Sequence, residues 1–153
     1  MFIQKFILVT IFLSLLAGCG RVKPNVFRSS GCNLESIANA KAVNDSTYSI
    51  NKSLSNLFFV GWAIDPLGVD LPNKFFIVLE DVSGNTFIAG EASPSISRGD
   101  VSAAFNKPGI DLVGFNIHAD FSSLPMGTYS ISINQAYPVK NIICNFNKSL
   151  IIQ

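Results

Sequence analysis

Hydrophobic and polar residues alternate in short runs along most of this chain. The clearest run is residues 114–120 (GFNIHAD), where Phe115, Ile117 and Ala119 fall on one side and polar residues on the other. Alternation with a period of two over four to eight residues is typical of a β-strand with one buried face. Residues 47–50 and 128–133 also alternate, and segments rich in apolar residues that are typical of strands occupy residues 57–64, 74–81, 86–89, 141–146 and 149–152. The pattern predicts about seven or eight short strands.

Residues 98–105 (RGDVSAAF) break the alternation and predict one short helical turn. Asp100 is suited to cap this turn by accepting hydrogen bonds from the amides that follow it. Val101 and Phe105 lie four positions apart and would share one face. With little other helix and many turn residues between the strands, the chain is predicted to be all-β and to fold as a β-sandwich.

The run at residues 57–64 contains the single tryptophan of the chain, Trp62. Strand parity places Phe58, Val60 and Ile64 on the same side as Trp62, and all four are apolar. This parity favours a core position for Trp62. If the indole instead faced solvent, it could stack on a sugar ring.

The first residues differ from the rest of the chain. Lys5 precedes an apolar run at residues 6–16, which is shorter than the roughly 20 residues that a membrane-spanning helix needs. A short apolar run behind a positive charge is typical of a secretory leader. The tetrapeptide at residues 16–19 (LAGC) then resembles the lipobox of bacterial lipoproteins. A plain leader followed by an incidental cysteine is the alternative.

The lipobox resemblance implies that residues 1–18 are removed and that the thiol of Cys19 receives lipid with fatty acyl chains such as palmitate. The membrane would then be a partner through this anchor. Gly20, where inner-membrane lipoproteins of enteric-type bacteria carry Asp, implies an outer-membrane location. Residues 19–31 are polar and aperiodic and predict a lipidated N-terminus and tether, followed by a sandwich domain at residues 32–153.

Charge narrows the classes of partner. The formal net charge is +1, and it falls to zero without Lys5 of the leader, because ten basic and ten acidic residues remain. A nucleic-acid reader needs clustered Lys and Arg, so we expect no nucleic-acid partner. We expect a monomer.

Two cysteines, Cys32 and Cys144, remain beside the lipidation candidate. In the oxidising compartment that the leader implies, an even pair predicts a disulfide. Two buried free thiols are the alternative. Two cysteines and one distant histidine do not make a zinc ligand set, so no metal or other cofactor is predicted.

Candidate catalytic chemistry is sparse. His118 and Asp120 share one face of a predicted strand and could act as a general-base pair or as two metal ligands. No third ligand or placed nucleophile accompanies them, so a polar solvent face is the preferred interpretation, and no catalytic residue is assigned. Residues 98–100 spell the adhesion tripeptide RGD, but Arg98 is better explained by a pairing with a nearby carboxylate or carbonyl.

The segment Leu124-Pro-Met-Gly127-Thr-Tyr129 resembles the tyrosine corner of Greek-key sandwiches, in which the Tyr129 hydroxyl would bond to backbone. Further motifs in order are residues 32–37 (CNLESI), residues 60–65 (VGWAID), Arg98-x-Asp100-Val101 with Phe105, and Gly114-Phe115. Together they resemble the Ig-like β-sandwich modules of bacterial envelope proteins and of the ends of bacterial membrane glycosyltransferases. The resemblance implies a fold and an extracytoplasmic location but no reaction.

The function expected from these features is that of a lipid-anchored envelope lipoprotein, facing the periplasm or the cell surface, with a non-catalytic binding or scaffolding domain. Its partner would be an envelope protein or a glycan. Two alternatives remain. A carbohydrate-binding module linked to glycan synthesis would be favoured by a solvent-facing Trp62 or Tyr137. An inhibitor of a periplasmic hydrolase would be favoured by an exposed rigid loop at residues 91–99.

Overall fold

A computed structural model describes residues 23–53 and 57–153 of the chain. Within these residues the chain forms ten strands and one short helix, and it is all-β in class. The strands are β1 (Asn25–Ser29), β2 (Cys32–Ala38), β3 (Lys41–Asn44), β4 (Thr47–Ile50), β5 (Leu57–Ala63), β6 (Lys74–Asp81), β7 (Thr86–Ala92), β8 (Gly114–Ala119), β9 (Gly127–Ala136) and β10 (Lys140–Ile152). The helix α1 (Gly99–Ala104) lies between β7 and β8.

The strands form two sheets that pack as a sandwich. The larger, seven-stranded sheet has the order β3-β4-β10-β9-β6-β7, with β1 also paired to β10, and the smaller has the order β2-β5-β8. The chain passes between the sheets after β1, β2, β4, β5, β7 and β8, because each of these strands is followed along the chain by a strand of the other sheet. This connectivity brings residues that are distant in sequence into one core.

The core lies between the two sheets and follows the predicted alternation. In β9, the side chains of Tyr129, Ile131 and Ile133 are buried, and the residues between them are exposed or half-buried. β8 buries Phe115 and Ile117 in the same way. One face of each strand therefore supplies the sandwich interior, as a period of two requires.

The segment predicted as a tether differs from the prediction. Asn25–Ser29 forms β1, which runs parallel to β10 with Asn25 opposite Lys140 and Ser29 opposite Cys144. Backbone hydrogen bonding along an open edge of β10 holds these residues, although their side chains are mostly exposed. Exposed residues on an edge strand show little alternation, so the pattern alone did not reveal the strand.

The predicted strands at residues 141–146 and 149–152 are one strand, β10. Its register against β9 shifts between Asn145 and Lys148. Asn147 has a positive φ of 54°, and its amide donates to the Asn145 side chain at 2.7 Å. This bulge lets the strand bend and still bury its inner face on both sides of the interruption.

The sandwich has two distinct ends. The basal end holds the start of β1, the start of β6, the connection at residues 64–73 and the turn at residues 137–140. The distal end holds the β6–β7 turn and the corner before β9. At the distal turn, Gly84 has a φ of +83°, a conformation that glycine adopts without strain. The predicted hairpin of residues 74–81 and 86–89 is confirmed there.

Candidate functional site

The outer face of the three-stranded sheet carries an apolar stripe that no further sheet covers. In β5, Leu57, Phe59, Gly61 and Ala63 point into the core, and Phe58, Val60 and Trp62 on the opposite side are half-buried. We call the stripe Phe58, Val60 and Trp62, together with the residues opposite them on β2 and β8, the outer face.

The side of β5 that carries Trp62, which parity favoured as the core side, is therefore the outer side, and the prediction of a main-core position for Trp62 is wrong. Its indole contacts the Phe105 ring edge-on, with centroids 5.8 Å apart. It packs against a second cluster, beneath α1, whose buried members are Ile64, Val101 and Val113. Parity could not choose between the faces because both faces of this strand are apolar, and only the position of the second sheet decides which one is the main core.

Polar residues border the stripe on β8. Asn116 lies opposite Val60 and His118 lies opposite Phe58, and both polar side chains are exposed. The His118 ring contacts Phe58 edge-on at 5.2 Å between centroids. An apolar centre with a polar border is the general composition of a protein-binding surface.

Arg98 closes one side of the outer face through charged contacts. Its Nη1 donates to Glu35 of β2 at 2.6 Å, and its Nε and Nη2 donate to the two oxygens of Asp100 at 2.9 and 2.8 Å. The prediction that Arg98 pairs with a carboxylate is confirmed. Because this guanidinium is engaged by two carboxylates, the RGD tripeptide does not present its arginine as an isolated side chain.

The predicted capping role of Asp100 is wrong. Arg98 occupies the N-cap position of α1, and no side-chain hydrogen bond caps the helix. Asp100 lies in the first turn, where its carboxylate accepts from Arg98. This charge-assisted contact lowers the pKa of Asp100 from its ordinary 3.8 to about 2. The N-cap preference for Asp gave way to a bidentate partner two residues away.

His118 lies in β8, and Asp120 directly follows the end of that strand. Both are exposed, and the Asp120 carboxylate accepts from the Ser122 amide at 2.9 Å. This bond and the Ser122 side chain, with a smaller effect of His118, lower the pKa of Asp120. In residues 23–53 and 57–153, no group of three or more His, Cys, Asp or Glu is placed to hold a metal ion.

Two predicted structural features are present. Cys32 and Cys144 are joined in a disulfide that links β2 of the small sheet to β10 of the large sheet. The Tyr129 hydroxyl donates to the Pro125 carbonyl at 2.7 Å, as a tyrosine corner requires. Cys19 and the predicted leader lie outside the described residues.

A groove at the basal end was not predicted from the sequence. It has a volume of about 410 Å³ and lies between β1 and the segment that follows β5, with Phe27, Leu67 and Ile142 among its lining residues. In its wall, Lys140 donates to the Asp65 carboxylate at 2.6 Å. Burial raises the pKa of Asp65, but hydrogen bonds from Lys140 and from backbone amides outweigh this effect and lower it.

Tyr137 is buried beside this groove rather than solvent-facing. Its exposed fraction is 7%, its hydroxyl contacts the Gln135 side chain at 3.3 Å, and Lys140 lies 4.8 Å from its ring centroid. Burial raises the pKa of Tyr137. A carbohydrate-binding module would need a solvent-facing aromatic ring on which a sugar could stack. The Tyr137 ring is buried, and the half-buried indole of Trp62 is in contact with Phe105.

In the part of the chain that the structure describes, no helix has the length and apolar character needed to cross a bilayer. The chain matches no known family model and no curated protein.

Proposed function

We propose that this protein is a lipid-anchored envelope lipoprotein whose Ig-like sandwich is a non-catalytic binding module, with the outer face as its surface for a partner protein. Cys19 would carry the lipid, and Gly20 favours the outer membrane. The observation that carries the binding role is the half-buried apolar stripe of β5, which lies between polar residues of β2 and β8.

The outer face suits a protein partner better than a small substrate. Phe58 and Val60 give a half-buried apolar strip along one strand, which Trp62, packed against Phe105, continues toward α1. Interfaces are enriched in aromatic residues at their centres. At its rim, Arg98 is fixed by Glu35 and Asp100 and supplies a charged border. The sandwich also holds the face rigidly through the Cys32–Cys144 bridge, and a preorganised surface loses less conformational entropy on binding.

Site-specific photo-crosslinking in intact cells tests the binding face. A benzophenone amino acid would replace Asn116, which is exposed and lies opposite Val60. We expect one discrete adduct after irradiation, and we expect Val60→Glu in the same chain to remove it. Ser130, exposed on β9 of the other sheet, is the matched control position and should give no adduct. Equal adducts at both positions, or an adduct that survives Val60→Glu, would contradict the assignment of this face.

Maturation assays test the anchor. Globomycin, or Cys19→Ala, should block removal of the leader, and Cys19→Ala should abolish incorporation of labelled palmitate. Cys19→Ser keeps the side-chain size and serves as the matched variant, because its hydroxyl cannot form the thioether. A mature, membrane-bound and acylated Cys19→Ala protein would refute lipid attachment at Cys19.

A second candidate function, inhibition of a periplasmic hydrolase, is favoured by the connection between β7 and α1. Residues 93–97 are mostly exposed, yet Ile96 pairs with Gly114 and the Arg98 amide donates to the Asp111 carbonyl at 2.7 Å. An exposed segment held at its end resembles in form the insertion loops of inhibitors. Addition of the protein to lysozyme and to periplasmic proteases tests this candidate. Inhibition that Ser95→Arg weakens would support it, and full enzyme activity at excess protein would exclude those targets.

A further inference from the structure

Five of the eleven large apolar side chains that are exposed in the described residues lie at the basal end of the sandwich. Leu67 is 95% exposed, Val69 77% and Val139 70%, and all three lie in the connections that form this end. Val26 and Phe27 of β1, 60% and 52% exposed, adjoin them. Isolated exposed apolar residues are ordinary on a protein surface, but a group of five at one end indicates a contact surface.

The chain enters the sandwich at this same end. β1 begins at Asn25, which lies opposite Lys140 at the base of β10. Cys19 precedes Asn25 by six positions. A fully extended chain of six residues spans at most about 22 Å, so a lipid on Cys19 keeps the start of β1 within that distance of the bilayer.

The basal end has the chemistry of a membrane-interface contact. Phe27 and Leu67 also line the groove at this end, so two of the exposed apolar residues form part of its wall. Lys23, which precedes β1, and Arg28, within β1, are exposed and match the negative charge of phospholipid headgroups, although Asp70 on the adjoining connection has the opposite sign. Apolar residues combined with nearby cations are typical of surfaces that rest in the headgroup region.

We propose that the basal end, with Leu67, Val69 and Val139 at its centre, lies against the phospholipid surface in which the Cys19 lipid is embedded. This inference rests on the anchor proposed above. The distal end then points away from the bilayer, and the outer face of the small sheet stands beside the membrane, where it is accessible to another envelope protein. The position of the domain is thus set by a protein–lipid contact as well as by the length of the tether.

Lipid quenching of an introduced tryptophan tests this contact. The full, lipidated protein would be purified with Trp62→Phe as background, because Trp62 is the single native tryptophan. Leu67→Trp places a reporter at the basal end, and Val82→Trp, at a distal position that is 92% exposed, is the matched control. Each protein would be reconstituted into phosphatidylethanolamine–phosphatidylglycerol vesicles with and without bromine on the acyl chains near the headgroups.

We expect the brominated lipid to reduce the fluorescence of the Leu67→Trp protein about twofold, because an indole in the interface lies within reach of the bromines. The Val82→Trp protein should keep its intensity. If mass spectrometry shows acyl chains on the protein and both reporters respond equally, the basal contact is refuted and the anchor stands. If the purified mature protein carries no acyl chain, both the anchor and the basal contact are refuted.

Discussion

Removal of the Cys32–Cys144 bridge should lower the free energy of unfolding more than any other single substitution considered for this domain. The two cysteines are separated by 112 positions, and the bond joins the first strand of the small sheet to the last strand of the large sheet. Cys144 is 1% exposed within the core, whereas Cys32 is only partly buried. Cys32→Ser is therefore the better perturbation, because it changes the packed interior least.

The separation determines the expected magnitude. In the chain-entropy model, the entropy that a cross-link removes from the unfolded chain grows with the logarithm of the loop length, and a loop of this size corresponds to about 4.8 kcal/mol at 25 °C. Domains of this size change their melting temperature by about 4 °C for each kcal/mol, so the variant should melt about 15–20 °C below the oxidised wild type.

Urea unfolding followed by Trp62 fluorescence measures the free energy of unfolding, with and without a reductant. The variant should be about 4.8 kcal/mol less stable than the oxidised wild type, and the two proteins should become equal when the wild type is reduced. The reduced wild type is the matched control, because it keeps both sulfur atoms. Equal midpoints under oxidising conditions, or a difference that persists under reductant, would refute the cross-link as the source of the stability.

Three further predictions concern the corner, the core and the helix. Tyr129→Phe should lower the free energy of unfolding by about 1 kcal/mol, because it removes the hydroxyl bond at the corner, and chemical denaturation would show no change if that bond is absent. Gly61→Ala should destabilise the domain by about 1–3 kcal/mol or more, because a backbone oxygen of β2 lies 2.2 Å from the position of the new Cβ. Thermal melting measures this loss of stability, and Gly99→Ala, with open space around its new Cβ, is the matched control. Equal losses of stability in the two variants would contradict the packing argument. The Asp100 carboxyl should titrate near pH 2 by NMR, and Arg98→Gln should move the midpoint back toward 3.8. Because the folded-state pKa is lowered, the stabilisation by this contact is present above about pH 4 and is lost as the pH falls from there toward 2.

The local sequence pattern was sufficient to predict those structural features that depend only on neighbouring residues. A period of two predicted the inner face of β8, and the turn residues after β6 predicted its hairpin with β7. The spacing of Tyr129 from Leu124 predicted the corner. In each case, the physical cause lies within a few residues, so it can be detected without the rest of the chain.

Features that depend on distant partners were predicted incompletely or not at all. β1 exists because the edge of β10 accepts it, and its own residues carry no strand pattern. The partner of Asp100 is a guanidinium fixed from the other side by Glu35, 63 positions away from Arg98, so the cap preference of Asp did not prevail.

The sequence by itself determined the all-β class of this domain and supplied two cysteines suited to a bridge. The tertiary structure decided which face of β5 is the core, and therefore which apolar stripe remains for a partner. It also gathered Phe27, Leu67 and Val139 at one end. Alternation specifies two faces for a strand, but only packing against a second sheet determines which of them is covered.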